Sequence, residues 1–349
     1  MMKKAKKILV AMSGGVDSSV AAAVLIEEGF DVTGVTMKLW GGSSDTGCCS
    51  VSDVIDARRV ADQLGIPHHV FNFGDEFDAH VVEPYVEAHA LGETPNPCIE
   101  CNRHVKFDKL FRRANALGFD MIATGHHAQI TEEKGNLRIM RSVDQSKDQS
   151  YVLHMLTQEQ LQKLRFPIGT MTKKQVREKA NALSLQTAGK ADSQDVCFIS
   201  RTKGGRQIFL EERLEMTSGQ VVDTTGTKIA EVEAVEMVTI GQRKGLGVSG
   251  ERTPQYAIDV DVQQATVTVG SKDDLFCQET PIVNLHWVGN PDADILDVQT
   301  SAHGKTSPAR VDGHVIWQEP RMKVAPGQSV VFYKDNEVVG SATATKNTR

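Results

Sequence analysis

The sequence predicts an α/β chain: a doubly wound domain with a parallel sheet, followed by two small β-rich domains. Three observations predict it. Apolar, β-branched runs alternate with segments of helical period through the first part of the chain. Helix-stop signals close the helical segments: Gly29, Gly65 with Pro67 behind it, and Gly118. From about Gly204 the pattern changes to short strand-like runs separated by Gly- and Asp-containing turns. The expected domains are 1–203, with a helical part at about 145–190, then 204–276 and 277–349.

Taken in order, Ile8, Leu9 and Val10 read as a buried strand that breaks at Ser13-Gly14-Gly15 and passes into an Ala/Val/Leu-rich helix. A strand, a tight Gly/Ser loop and a helix N-terminus make an anion site, because free N–H groups and the helix dipole both favour phosphate. Gly14 and Gly15 permit close backbone approach, and Ser13, Ser18 and Ser19 add hydroxyls. The ATPase-type loop needs a Lys just before Ser/Thr, and none stands here. Val32 to Met37 reads as the second strand, and Ser52 to Leu64 as a helix with Val54, Ile55, Ala57, Val60, Ala61 and Leu64 at helical spacing. A strand at His69 to Phe73 leads to a helix at Asp75 to Ala90, kinked at Pro84. Phe107, Leu110, Phe111, Ala114 and Leu117 mark another helix, and Met121 to Thr124 a fourth strand. Ligands of such sheets sit at the C-terminal ends of the strands, where Ser13-Gly14-Gly15 and Thr124-Gly125-His126 both fall.

Gln129 to Val143 reads as a hairpin turning at Lys134-Gly135-Asn136, and Thr157 to Gln160 and Thr172 to Gln175 as capping boxes that open two helices. Strands are expected at Val221-Val222, Ile258 to Val262, Thr266 to Val269, Val315 to Trp317 and Ser329 to Tyr333, with turns at Pro326-Gly327 and Asp335-Asn336. Lys346 to Arg349 is expected to fray.

The chain has 349 residues, 40% hydrophobic and 24% charged, ordinary values for a protein with real cores. No apolar run approaches the roughly 20 residues that span a bilayer. The lysine-rich start imitates a signal peptide, but its apolar segment ends after five residues at Ser13, so a cytoplasmic protein without a membrane partner is expected. Six cysteines in a chain of this length do not make a disulfide scaffold and point to metal, redox or nucleophilic work. A net charge of −6 argues against broad non-specific nucleic-acid binding, though not against an RNA held by local basic patches.

Two further stretches carry chemistry. In Thr94-Pro95-Asn96-Pro97-Cys98-Ile99-Glu100-Cys101-Asn102, two prolines stiffen a loop and a CxxC pair stands just before a helix, where thiol pKa values fall. CxxC alone fits a redox pair, half a zinc site or iron–sulfur ligation. In Ala191-Asp192-Ser193-Gln194-Asp195-Val196-Cys197-Phe198, a lone cysteine lies among polar residues, which is unusual for a core position.

SGGVDSS resembles the pyrophosphate (PP) loop of the N-type ATP pyrophosphatases, which split ATP between the α- and β-phosphates and use the AMP half to activate an oxygen. This loop, Gly34-Val35-Thr36-Met37, TPNPCIECN, Ile122-Ala123-Thr124-Gly125-His126, Ser146-Lys147-Asp148-Gln149-Ser150, DSQDVCF and Ile240-Gly241-Gln242-Arg243-Lys244-Gly245-Leu246 occur in one order. Together they resemble the bacterial tRNA-specific 2-thiouridylases, from about Lys7 to Leu246 and more weakly to Thr343. The resemblance implies ATP-dependent 2-thiolation of the wobble uridine of tRNA. ATP adenylates the uracil 2-oxygen, and sulfur from a persulfide on Cys197 displaces AMP; Cys101 assists, either by attacking the persulfide to release sulfide or by attacking the base itself, and a Cys101–Cys197 disulfide then has to be reduced. The sulfur comes from a donor such as a cysteine desulfurase or a sulfur carrier protein.

The same resemblance assigns ATP to Ala11, Met12, Ser13, Gly14, Gly15, Val16, Asp17 and Ser18, with Asp17 also catalytic in placing Mg²⁺, and to Met37 and Gly125 beside the adenosine. Asn96, Pro97 and Cys98 border the target base, and His126, Lys147, Asp148 and Gln149 touch tRNA. Arg243 and Lys244, in a Gly-rich loop, are phosphate-backbone candidates. Many relatives carry Asp where Cys98 stands. With Cys98, Cys101 and Cys197 the chain offers three thiolates, enough for a 4Fe–4S cluster with one open iron, so a persulfide relay and a cluster-bound sulfide both stay open. A structural zinc would need a fourth ligand, from Cys48, Cys49 or a histidine. Cys48 and Cys49 read as a structural loop and Cys277 as inert. The Arg-rich strand expected in the last domain is not evident, His303, Lys305 and Arg310 being the nearest basic residues. The competing functions are another PP-loop ligase acting on a small substrate, and an iron–sulfur or zinc RNA-binding module without catalysis. The first needs no cysteine constellation, and the intact SGGVDSS loop speaks against the second.

Overall fold

β1 (Lys7–Ala11) is the middle strand of the first sheet, and its sequence dictates that place: Ile8, Leu9 and Val10 are wholly buried, as both faces of a central parallel strand must be. The fold comes from a computed structural model that describes residues 5–39, 50–192, 196–199, 204–248, 254–288, 291 and 293–346. It divides into two units. Met1–Val82, Pro97–Arg201 and Asn336–Val338 form the first, and Glu83–Asn96, Thr202–Asp335 and Val339–Arg349 the second.

In the first unit, β2 (Asp31–Lys38) and β3 (His68–Asn72) extend the sheet on one side of β1. β4 (Met121–Thr124) and the short β7 (Leu164–Arg165) extend it on the other, so the parallel order is β3-β2-β1-β4-β7. β5 (Ala128–Glu133) and β6 (Asn136–Arg141) form the expected hairpin, with Lys134 and Gly135 at φ +50° and +83° as a two-residue turn requires. α1 (Val16–Glu27) is apolar nearly all round and is therefore buried on several sides, by the sheet, by Ala57, Val60 and Ala61 of α2 (Val51–Leu64), and by Val176 and Ala180 of α8 (Lys173–Ala182). Ser50 and Asp53 cap α2 reciprocally, and Gly65 ends it at φ +68°. α7 (Gln158–Lys163) and α8 open at the two predicted capping boxes.

Two helical stretches contain wide turns. α3 (Gly74–Phe77) and α4 (Glu83–Ala90) are joined through Asp78–Val82, whose π-type turn takes in His80, four residues before Pro84. A widened turn relieves the proline's missing N–H and its clash with that carbonyl, so the predicted kink is met by a bulge. α5 (Pro97–Glu100) runs on through Cys101–Lys109, also π-type, into α6 (Leu110–Ala116), with the Leu110 N–H bonded five residues back to the Val105 carbonyl. The CxxC pair thus lies inside this helical stretch rather than before it. Pro97 explains the difference, since its fixed φ suits a first helical position.

The second unit opens with α9 (Gly205–Glu211), where the sequence suggested only strands; a short apolar run such as Ile208-Phe209-Leu210 fits either period. β8 (Gly219–Val222), β9 (Lys228–Val232), β10 (Tyr256–Asp261) and β11 (Thr266–Gly270) follow in the order β10-β11-β8-β9 around Val221, Val260 and Val267. β12 (Phe276–Trp287), β13 (Leu296–Gln299), β14 (Ser307–Val311), β15 (His314–Met322), β16 (Ser329–Lys334) and β17 (Glu337–Ala344) then form a six-stranded barrel. Its order is β12-β15-β14-β13-β16-β17, and β17 pairs back onto β12 to close it. Asp335 and Asn336 make the β16–β17 turn at φ +50° and +69°. Phe332 is wholly buried in the barrel core. Phe332→Ala is expected to cost about 3–5 kcal/mol of this unit's stability, read from the shift of its unfolding transition in urea. Among the described residues no helix is long and apolar enough to cross a membrane.

Candidate active site

The sheet reverses its direction of growth between β1 and β4, and a crevice at such a switch point is where open α/β sheets take ligands. Here it is a cleft of about 790 Å³, open mouth included, lined by Ala11, Met12, Ser13, Asp17, Ser18, Met37 and Gly125 among others. The loop is tightly built. The Ser13 N–H donates to Ser18 Oγ at 3.2 Å, and the Ser19 hydroxyl to the Gly15 carbonyl at 2.8 Å. Gly14 has φ +71°, and a Cβ on it would lie 2.3 Å from the Asp53 carbonyl oxygen, so only glycine fits. Gly14, Gly15 and Val16 do not line the cleft; Gly14 and Val16 are buried beneath it and Gly15 caps α1 without a side chain. Gly125 presses on the first turn of α1, 2.6 Å from its Cβ position to the Ser18 nitrogen.

Asp17 is not an open carboxylate. The Lys173 ammonium donates to both of its oxygens, at 2.8 and 2.7 Å, and His127 Nε2 lies 3.2 Å from Oδ1. Lys173 also reaches Asp192 Oδ1 at 2.8 Å, and Asp192 is held in addition by Lys147 at 2.9 Å and Arg177 at 2.8 Å. Burial alone would raise the pKa of both acids. Donation to Asp17 from His127 and Lys173, and to Asp192 from Lys173 and Lys147, outweighs it and holds both below the ordinary carboxylate range. A lowered folded pKa gives stability that is present above the unfolded value of about 3.9 and is lost as pH falls through the folded one. The stability difference between wild type and Asp192→Asn should therefore stay constant from pH 8 to 5 and shrink below about pH 4, measured by urea unfolding across pH.

A second cavity, about 720 Å³ with its mouth, is lined by Pro97, Cys98, Cys101 and Cys197 together with Phe77 and Val152. Cys98 and Cys101 stand one turn apart in one helical stretch, Cys101 buried and Cys98 half-buried. Cys197 arrives from the far end of the unit. Val196 before it has φ +54°, rare for a β-branched residue, and Phe198 after it packs edge-on against Phe77 at 5.5 Å. The lining does not include Asn96. Ser193 to Asp195, Cys48 and Cys49 lie outside the described residues. Among the described residues no three His, Cys, Asp or Glu side chains are grouped so as to hold a metal.

The two cavities share four wall residues, Leu39, Lys106, His126 and Gln149. His126 is buried between Phe107 and Phe166 and lies 2.6 Å from Thr124 Oγ1; burial first, then the nearby charge of Lys106, push its pKa well down, so it is neutral at pH 7. Gln149 is locked to His127, accepting its N–H at 2.9 Å. Asp148 turns inward, accepting from Arg141 at 3.0 Å and from the Ser150 hydroxyl at 2.7 Å, whereas Lys147 is 40% exposed. Arg243 and Lys244 are exposed in the second unit, in a loop where Gly241, Gly245 and Gly247 have positive φ. Sequence reasoning missed Lys173, Lys106 and His127. Only the Thr172–Gln175 capping box marks the neighbourhood of Lys173, and it signals a helix start rather than chemistry.

Three family descriptions match the chain in succession: "tRNA methyl transferase HUP domain" over residues 6–201, "tRNA methyl transferase PRC-barrel domain" over 207–271, and "Aminomethyltransferase beta-barrel domain" over 282–344. The tRNA-specific 2-thiouridylase MnmA of Carboxydothermus hydrogenoformans is 41% identical over 98% of this chain and 98% of its own. The chain belongs to the tRNA-specific 2-thiouridylase family. The protein of the same name from Mycolicibacterium vanbaalenii is 46% identical over 97% of this chain and 98% of its own. This family of tRNA sulfurtransferases has a PP-loop domain followed by two β-rich domains, the architecture found here. A solved U34-tRNA thiolase from Methanococcus maripaludis with a [4Fe-4S] cluster matches at 18% identity and TM-score 0.38, over 60% of this chain and 66% of its own, too loosely for its cluster to bear on this one.

Proposed function

We propose that this chain activates the 2-oxygen of a tRNA wobble uridine with ATP in the first cavity and replaces that oxygen with sulfur carried by Cys197 in the second. The observation that carries this is the shared wall: Leu39, Lys106, His126 and Gln149 face both the cleft after β1 and the cavity of the three thiols. A base bound across that wall meets the α-phosphate on one side and sulfur on the other. Ala11 to Ser18 take the phosphates, with Met37 and Gly125 beside the adenosine. Pro97 and Cys98, with Asn96 before them, border the base. Lys147 and Gln149, with Asp148 pinning their loop, and Arg243 and Lys244 meet the tRNA backbone, together with neutral His126 at the base.

The uracil oxygen bonds to the α-phosphorus and pyrophosphate leaves. The terminal sulfur of a Cys197 persulfide adds to the activated carbon and AMP departs. Cys101 then attacks the Cys197 sulfur, leaving 2-thiouridine and a Cys101–Cys197 disulfide that a reductant must open. The sulfur source is a persulfide donor, such as a cysteine desulfurase or a sulfur carrier protein, and the reductant requirement fits a cytoplasmic setting. Both oxygens of Asp17 accept from Lys173, so the residues do not fit a protein-held Mg²⁺; that ion would come with the nucleotide's phosphates. Among the described residues no three His, Cys, Asp or Glu side chains are grouped so as to hold a metal, and the relay above is carried by the thiols alone. Exchange of labelled pyrophosphate into ATP tests the reading. It should require unmodified tRNA; release of ADP and phosphate instead would contradict it.

A further inference from the structure

The loop after β1 lacks the lysine that ATPase-type loops carry, yet a lysine stands against it. Lys173 comes from the first turn of α8, 156 residues from Asp17. Its side chain is only 11% exposed, and its ammonium lies within 2.8 Å of both Asp17 and Asp192. Its backbone is fixed as well, its N–H donating to Asp144 Oδ2 at 2.9 Å and its helix start held by the Thr172–Gln175 box. Lys173 does not line the cleft; Asp17, which does, holds the ammonium at the wall.

This arrangement poses an electrostatic problem for any phosphate at the α1 N-terminus. Asp17 sits in the first turn of that helix, so a β- or γ-phosphate there would face a carboxylate. Like charges that close are tolerated only with a cation between them. Lys173 is already on Asp17, and a four-carbon stem lets its ammonium swing towards the cleft. Asp192 can release it, since Lys147 and Arg177 remain on that carboxylate.

We propose that Lys173 is the pyrophosphate-binding cation of this site, its ammonium passing from Asp192 to the β-phosphate when a nucleotide binds while staying on Asp17. The proposal rests on the nucleotide reading of the cleft given above. When the bond between the α-phosphorus and its bridging oxygen breaks, the electron pair stays with pyrophosphate, and Lys173 is where that added charge is neutralised.

Calorimetric titration of wild type, Lys173→Met and Lys173→Arg with inorganic pyrophosphate, ATP and AMP tests it. Lys173→Met should weaken pyrophosphate and ATP by about 10- to 100-fold, the usual cost of a lost charged hydrogen bond. AMP, which lacks the phosphates concerned, should change by less than about twofold, and Lys173→Arg should recover most of the pyrophosphate affinity. Asp192→Asn, which removes the competing carboxylate, should tighten ATP. Unchanged pyrophosphate binding in Lys173→Met, or equal loss of AMP and pyrophosphate in both Lys173 variants, would overturn the proposal while leaving the nucleotide reading intact. A wild-type protein that binds neither ATP nor pyrophosphate would overturn the nucleotide reading, and this proposal with it.

Discussion

Cys197→Ser should release pyrophosphate from ATP in the presence of tRNA and yet form no 2-thiouridine, a loss on the order of 10³-fold or more. A serine hydroxyl cannot carry sulfane sulfur, while the nucleotide cleft on the other side of the shared wall contains no part of Cys197. Cys101→Ser should fail one step later. The persulfide sulfur can still bond to the base, but nothing opens the resulting disulfide, so a protein–tRNA adduct should accumulate and dissolve on adding dithiothreitol. Denaturing gels of the reaction read it directly. Cys98→Ser, at a wall position with no bond-making role in this scheme, should keep activity to within about tenfold. If Cys98→Ser instead abolishes thiolation together with an iron–sulfur chromophore, the persulfide relay is wrong and the cluster alternative stands.

Gly125→Ala should be nearly as damaging, through the other cavity. A Cβ there would lie 2.6 Å from the Ser18 nitrogen and 2.8 Å from the Asp17 carbonyl carbon, both backbone atoms of the first turn of α1. Neither can retreat without moving the helix away from the β4 end. Overpacking of this kind costs about 1–3 kcal/mol of stability. Because the displaced turn is the phosphate site itself, ATP affinity should fall by about 100-fold. Calorimetric ATP titration measures the second effect and thermal unfolding the first. Gly14→Ala adds a second penalty to the same crowding, since that backbone sits at φ +71°.

Much of this site was legible in the sequence, for reasons that differ by residue. Ile8 to Val10 and the Ser13-Gly14-Gly15 break are local signals, and so are both capping boxes; short-range physics alone decides them. The CxxC pair and Cys197 could be singled out as chemistry, but that they share a cavity depends on the packing of Phe198 against Phe77, far apart in the chain. The ion-pair network was beyond reach. Lys173 reads as an ordinary surface lysine at a helix start, and nothing at 156 residues' distance marks it as the partner of Asp17. Nor could the sequence show that Asp148, which the family resemblance places beside tRNA, accepts from Arg141 and the Ser150 hydroxyl and so fixes the loop that carries Lys147 and Gln149.

The central claim is that one protein couples ATP cleavage to sulfur insertion across a shared wall. The measurement that tests it most directly incubates anaerobic protein with ATP, unmodified tRNA and a persulfide donor, with and without added iron, and analyses tRNA nucleosides and AMP together. The account predicts 2-thiouridine and AMP in equal amounts, independent of iron. Thiolation without AMP, or thiolation only when iron is supplied, would contradict it.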